Sequence, residues 1–415
     1  MTAAAPDWLG PHWLEDPYPG FAWLRRHAPV CEIGASRVFA VASWAGVEQA
    51  LAAGEAFSAN LTRVLIRGSG GEPEQFAFGG VGDANAVLAT ADPPLHDVHR
   101  GIVQPVLAAG RVAALEPALR ARVVARLAPF VAAGGGEWTS SVADPIPSEV
   151  ISRLLGFPGA DLPRVMAWAM QGGAMLAGTI GREALLELTR ETGRLTSYLV
   201  QHFEAAKGDA ALRAAAPVLD VLLAGVEQGA LTRGQAIGIG VVLVGAAGES
   251  TASLVGSAVR LVAERPELQV RLRREPGRLL HFIEEAVRLE SPFRGHYRAV
   301  RRRAQLGGVA LEPGDGLLLL WASANRDETR FEQPDEIDLG RRHPRDHLGF
   351  GRGIHFCVGA ALARLEARVI LEELLARTHA VALDPARPPV HVPSLFVRRH
   401  AQLHLRVEAA AWREA

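Results

Sequence analysis

Two cysteines in 415 residues, Cys31 and Cys357, leave no disulfide framework to build and point to a reducing compartment. Net charge is almost absent: 44 basic residues against 45 acidic ones give −1, so there is no global pull toward nucleic acid. Nearly every basic residue is arginine. A positively charged start followed by an apolar run is also missing. Residues 1–15 carry Pro6, Asp7, Pro11 and His12, so neither a signal peptide nor a membrane anchor is expected, and the compartment reads as cytoplasmic. The apolar, glycine-bearing run 237–247 is cut off by Glu249 and reads as a buried helix rather than a membrane span. No internal repeat or linker divides the chain. What is present is a soluble globular composition, 49% hydrophobic and 21% charged, with length enough for two ordinary domains or one large one.

The pattern along the chain is mainly helical. A short helix over 20–27 leads to a hairpin of strands 30–33 and 38–41 around Gly34, then a helix over 44–53. Residues 60–88 are glycine-rich and aperiodic, with Phe76 and Phe78 embedded, and read as a long functional or mobile loop. Helical periodicity fills 94–228, broken at 134–136, 156–159 and 207–209. A very long helix spans about 232–263, followed by helices 266–274 and 276–289. Strands are expected at 297–302, 309–311 and 316–320, and a closing hairpin at 395–397 and 402–407. The sum is one domain over 1–415: β-rich at about 28–60, helical at about 94–290, and ending in strands and a cysteine loop at about 297–407.

That loop is the most informative segment: Phe350-Gly351-Arg352-Gly353-Ile354-His355-Phe356-Cys357-Val358-Gly359, followed by a helix over 358–377. Gly351 and Gly353 permit positive φ and tight turns. Cys357 falls just before or within the first helical turn, where free N–H groups and the helix dipole stabilise an anionic sulfur. A small residue at Gly359 lets the backbone approach a flat ligand. A lone cysteine is by type most often a buried, inert thiol; the glycine spacing, His355 and the following helix favour one thiolate presented to a metal.

Four further groups carry potential chemistry. Glu285 and Arg288 share a helix face and can pair, a commonplace arrangement on a surface. In Asp92-Pro93-Pro94-Leu95-His96-Asp97-Val98-His99-Arg100 the prolines open a helix that stacks His96 and Arg100 as two donors suited to carboxylates, or as part of a solvated face. In Gly245-Ala246-Ala247-Gly248-Glu249-Ser250-Thr251, two mid-helix glycines cost about 1 kcal/mol each. Close approach of a ligand or a kink would offset that, and an acid beside hydroxyls in an apolar helix suits proton relay better than simple packing. Arg298, at the start of a strand, means little alone.

Taken together, these residues resemble the soluble bacterial branch of the cytochrome P450 family over nearly the whole chain. The cysteine loop is similar to the family's haem-binding loop, and Glu285-x-x-Arg288 stands upstream of it in the family's order. Between them lies a meander-like stretch with Ala324-Asn325-Arg326-Asp327, Phe331 and Pro334-Asp335. The resemblance implies a mainly α fold with small sheets and haem b held between the long helix and the cysteine-loop helix. Cys357 would be the thiolate ligand of the iron, and Phe350, Gly351 and Gly359 would shape the loop. His96, Arg100, Arg298 and His355 would bind the propionates, with Glu285 and Arg288 locking the core. Ala246, Ala247 and Gly248 would leave room over the haem, and Glu249 with its neighbour would relay protons. Relatives carry threonine directly after the acid; here Ser250 takes that place and Thr251 follows. Adjacent helical residues point about 100° apart, so Ser250 is favoured, and coupling of oxygen use to product is the property in question.

By the same resemblance the substrate pocket would draw on 60–88 with Phe76 and Phe78, on 170–175, on Val241, Val244, Gly245 and Ala246, on Phe293 and Arg294, and on Leu395 and Phe396. These are mostly apolar, which suits a small or medium hydrophobic organic molecule. The polar exceptions, Arg294 and His296, are read as joining the propionate network near Arg298, with an anionic or hydroxylated substrate as the other reading. No flavin or iron–sulfur motif is present, so electrons would come from a ferredoxin and its reductase, docking at Arg100, Arg341, Arg342, Arg345 and Arg352, or those arginines merely solvate a surface. The activity implied is monooxygenation by dioxygen (hydroxylation, epoxidation or O-dealkylation) in a monomer without nucleic-acid or membrane partners. Peroxide-driven oxygenation and oxidative C–C coupling are alternatives within the family, and a haem-based sensor or binding protein is the alternative outside catalysis.

Overall fold

The computed structural model describes residues 6–78 and 86–410. Its organising element is the helix Arg233–Ala263, the long helix. Thr232 caps it reciprocally with Gln235: the Gln235 N–H donates to Thr232 Oγ1 at 3.2 Å, and the Thr232 N–H donates to Gln235 Oε1 at 2.7 Å. By length and composition this helix could cross a bilayer, but most of its apolar window is enclosed by neighbouring helices. Buried residues such as Ile239, Leu243, Leu254 and Val259 make it the spine of the largest hydrophobic core. Helices Leu162–Leu176, Arg182–Ala206, Leu279–Glu290 and Ala360–Arg377 pack around it. The mainly helical fold with small sheets read from the sequence is what the structure shows.

A second, smaller core lies beside a five-stranded sheet in the order Val30–Glu32, Val38–Val41, Gly316–Leu319, His296–Val300 and Phe57–Ser58. Only the Val38–Val41/Gly316–Leu319 pair is parallel, with Val38 opposite Gly316. Strand pairing thus fixes His296 and Arg298 next to the helical body.

Several segments depart from the sequence reading. Most of the loop expected at 60–88 folds as an antiparallel hairpin, Arg63–Arg67 with Pro73–Ala77; positions 79–85 lie outside the described residues. The glycine break at 134–136 supplies the edge strand Gly135–Glu137, where a Cβ on Gly135 would come within 2.2 Å of the Leu405 carbonyl oxygen. Residues 395–397 form no strand, only a bridge between Val397 and Phe293. The C-terminal strands are Thr378–Leu383, Val390–His391, His400–Gln402 and His404–Ala409.

Glu285 and Arg288, ordinary as a surface pair, have no solvent-exposed side-chain area at all. Arg288 donates from Nε and Nη2 to the two Glu285 oxygens at 2.8 and 2.9 Å. It also reaches the carbonyls of Asn325, Pro334 and Glu336. Glu285 accepts in addition from Arg341 Nε at 2.9 Å and from the Asp338 N–H at 2.9 Å. One carboxylate therefore pins the irregular stretch after residue 325 to the helix. These interactions hold Glu285 below the usual carboxylate range despite burial. Removing it would strand two guanidinium groups, so Glu285→Ala is expected to lower stability by roughly 3–5 kcal/mol in denaturant unfolding; a loss within about 0.5 kcal/mol would contradict this.

Candidate active site

Cys357 closes a loop that folds back on itself: its N–H donates to the Phe350 carbonyl at 2.8 Å. Gly351 and Gly353 adopt φ of +69° and +71°, which side chains resist. The helix Ala360–Arg377 follows with Gly359 at its cap, so Cys357 stands just before the helix rather than in its first turn. Its sulfur is open to a cavity. Burial raises the thiol above its ordinary value; the Gly359 N–H and the guanidinium groups of Arg364 and Arg100 pull it down. A Cβ on Gly359 would meet only Cys357 Sγ, at an ordinary 3.8 Å, so space beyond this backbone belongs to the cavity.

The loop is braced by Glu284, the neighbour of Glu285. Its carboxylate accepts from Arg364 at 2.7 and 2.9 Å and contacts His347 Nε2 at 3.0 Å. His347 Nδ1 accepts from the Gly349 N–H at 3.1 Å, and Arg364 lies 4.4 Å over the Phe350 ring. These partners overcome the effect of burial and hold Glu284 at about 2.

Opposite the cysteine loop, the long helix presents two adjacent rows to the cavity: Val242, Ala246, Ser250 and Leu254 in one, Leu243, Ala247 and Thr251 in the other. Ser250 and Thr251 thus both line it. Ser250 Oγ donates to the Ala246 carbonyl at 2.6 Å, leaving its lone pairs as acceptors. Glu249 does not line the cavity. Helical rotation turns it toward the helix Leu162–Leu176, where a Cβ on Gly173 would lie 2.1 Å from Glu249 Oε2. It is buried, 3.5 Å from Arg399 Nε, and Arg399 in turn reaches Asp144 at 3.3 Å. Burial raises Glu249 to about 7 against the pull of Arg399. The mid-helix glycines serve the same helix contact rather than a ligand: a Cβ on Gly248 would lie 2.6 Å from Ala169 Cβ, and Gly245 faces Gly172.

Other pocket expectations are also corrected. Val241 and Val244 are rotated off the lining, and Gly245 with them; Val242 and Leu243 take their place. Phe76 and Phe78 pack on Val64, Ile66 and Leu185, as does Met175. Arg294 is buried away from the cavity, donating to the Leu14 carbonyl at 2.6 Å. Phe293 lines the wall, whereas Phe396 backs it, with ring centroids 4.7 Å apart; Leu395 belongs to the second core. Of the arginines expected to dock a partner, Arg341 is committed to Glu285 and Arg100 to the Phe356 carbonyl at 2.7 Å. Arg342, Arg345 and Arg352 are exposed, with Arg345 3.6 Å from Glu284 and Arg352 3.3 Å from Glu48.

His96, Arg100, Arg298 and His355 are brought together on the cavity wall. The His96 and His355 rings meet edge to face at 4.4 Å, and buried His355 Nδ1 has no partner. Burial lowers Arg298 to about 10, and burial with neighbouring cations lowers His355 to about 4. Buried donors such as Arg298 and His355, whose positive forms are penalised in this way, call for anions. Together with a sulfur ligand and walls of glycine and aliphatic residues, the donor cluster fits a flat, dianionic metal macrocycle such as haem. Among the lining groups that sequence reading missed is Glu366, an acid on the inward row Leu362–Ala363–Glu366 of the cysteine-loop helix. It is buried, its Oε2 has no partner, and burial raises it to about 8.

Comparison with known proteins agrees with this geometry. The family model described as Cytochrome P450 matches residues 187–390. The chain is 38% identical to "Cytochrome P450 144" of Mycobacterium tuberculosis over 98% of this chain and 93% of that protein. It is 30% identical to "Cytochrome P450 monooxygenase PikC" of Streptomyces venezuelae over 91% and 87%. Among solved structures, CYP109E1 from Bacillus megaterium in complex with testosterone matches with TM-score 0.83 and 28% identity, covering 95% of this chain and 98% of that one.

Glu366 yields a pH test. A carboxyl whose folded value exceeds its unfolded one stabilises fully at acid pH and loses that contribution as pH rises, here between 4.5 and about 8. Unfolding measured across that window should show Glu366→Gln gaining stability relative to the native sequence as pH rises, by up to roughly 1.4 kcal/mol per pH unit. A difference independent of pH would contradict the assignment.

Proposed function

The chain belongs to the cytochrome P450 family and is a cytochrome P450 monooxygenase with haem as its cofactor; we propose that it hydroxylates, epoxidises or O-dealkylates a small or medium hydrophobic organic molecule. The observation that carries this reading is the cavity itself: one sulfur on one wall, two hydroxyls on the opposite helix, and aliphatic or aromatic side chains over most of the rest. Its lining runs from Leu51 to Glu366, which supports a single functional unit.

Bound there, haem supplies activation of dioxygen, the thiolate favouring O–O cleavage. Cys357 would hold the iron, with Phe350, Gly351 and Gly359 shaping the backbone around the sulfur. His96, Arg100, Arg298 and His355 would hold the propionates, donating to them from the edge where those donors converge. Val242, Leu243, Leu254 and Phe293 exclude water and offer an apolar substrate a surface without polar demands. Ser250 and Thr251 place hydroxyls at the cavity face, Ser250 as an acceptor while its own hydrogen bonds the Ala246 carbonyl. Glu249, on the other side of the same turn, titrates near neutrality and exchanges protons behind them. Electrons come from redox partners outside the chain, a ferredoxin and its reductase in our reading, and exposed Arg342, Arg345 and Arg352 suit an acidic partner. Scarce cysteine supports a cytoplasmic setting.

The test is reconstitution with a ferredoxin, its reductase and isotopically labelled dioxygen. One labelled atom in the product supports the reading; turnover with hydrogen peroxide alone, or coupled products without label, would replace it. The fraction of dioxygen reaching product should also change with pH around 7, following Glu249. Because the Arg399 cation lowers that value, Arg399→Gln should move the inflection to higher pH, and Glu249→Gln should abolish it. A profile unchanged in both variants would remove Glu249 from proton supply.

A further inference from the structure

The strand His296–Val300 turns His296 and Arg298 to the cavity, while Tyr297 points away and donates to the Leu176 carbonyl at 3.1 Å. The His296 ring is held edge to face between Phe293 and Phe396, both 5.4 Å away. Trp321 Nε1 lies 2.6 Å from His296 Nδ1. An indole N–H can only donate, so Nδ1 must accept and carries no hydrogen. This fixes one neutral tautomer, with the hydrogen on Nε2. Burial, with Arg298 and His355 nearby, keeps the ring uncharged by lowering it to about 3. Among the described residues nothing accepts from Nε2. The wall thus contains an uncharged donor of fixed orientation within an aromatic frame.

We propose that His296, which the sequence reading assigned to the propionate network, is instead a specificity-determining residue that donates from Nε2 to a neutral carbonyl or ether oxygen of the substrate. The pocket would then select an apolar molecule bearing such an oxygen over a bare hydrocarbon or a carboxylate. A hydrocarbon leaves the buried N–H unpaired. A carboxylate gains only an uncharged donor against its desolvation, because the cations nearby are taken by the haem carboxylates in the reading above. The inference rests on that reading of the cavity.

The test is optical titration of the haem-loaded enzyme, following the spin-state shift, with cyclododecanone, cyclododecane and cyclododecanecarboxylate. The native protein should bind the ketone roughly ten- to a hundredfold more tightly than either analogue. His296→Phe should erase that preference while keeping hydrocarbon binding, and His296→Gln, which retains an N–H donor, should recover part of it. If His296→Phe does not fold, Trp321→Phe serves instead: it frees Nδ1, unlocks the tautomer and should weaken the preference. Equal binding of the three, no binding of the ketone, or a preference surviving both His296→Phe and Trp321→Phe would overturn the proposal. So would a His296→Phe variant that loses only haem retention. Each protein is first checked for haem binding and thiolate ligation; failure there in the native protein defeats the family reading, whereas failure of the ketone preference alone defeats only this inference.

Discussion

Two neighbouring carboxylates without access to water, Glu284 and Glu285, organise the cysteine end of the molecule. A buried carboxylate is tolerated only when donors surround it, and the donors here come from three separate stretches. Glu285 draws in Arg288, Arg341 and the backbone at Asp338; Glu284 draws in His347 and Arg364. The first set ties down the irregular chain before the cysteine loop. The second ties down the loop's start and the helix after it. A sulfur on a glycine-rich loop has little of its own to hold it, so its placement is inherited from this pair.

The rest of the site follows a division of polarity. Donors collect at His96, Arg100, Arg298 and His355, hydroxyls sit on the facing helix, and the remaining wall is apolar. On the function proposed above, these groups take occupants by their chemistry: anions for the cations, a metal for the sulfur, and a substrate oxygen for the neutral His296 donor. Glu249 and Glu366 stand apart as carboxyls that burial raises, to about 7 behind the long helix and to about 8 within the cavity.

Short-range motifs were legible in the sequence, because spacing alone encodes them. The turn at Gly351 and Gly353 and the i to i+3 pair Glu285–Arg288 are of this kind. Side-chain direction on that helix was not. Whether Val241 or Val242 faces the cavity, and whether Glu249 does, depends on how the helix rotates against Leu162–Leu176, and that contact is set by Gly172 and Gly173 on another element. The hairpin carrying Phe76 was hidden because the apolar run 64–66 shows no alternation and Pro73–Ala77 opens with proline, glutamate and glutamine. Trp321 gave no sign of its partnership with His296, since the two meet only through pairing of strands far apart in the chain.

The central claim is that Cys357 is the sulfur ligand of the haem iron. The most direct measurement is the carbon monoxide difference spectrum of the reduced, haem-loaded protein, recorded for the native chain and for Cys357→Ala. The account predicts the Soret band of a thiolate-ligated complex in the native protein and its loss in the variant. A native protein without that band, or a variant that keeps it, would contradict the account.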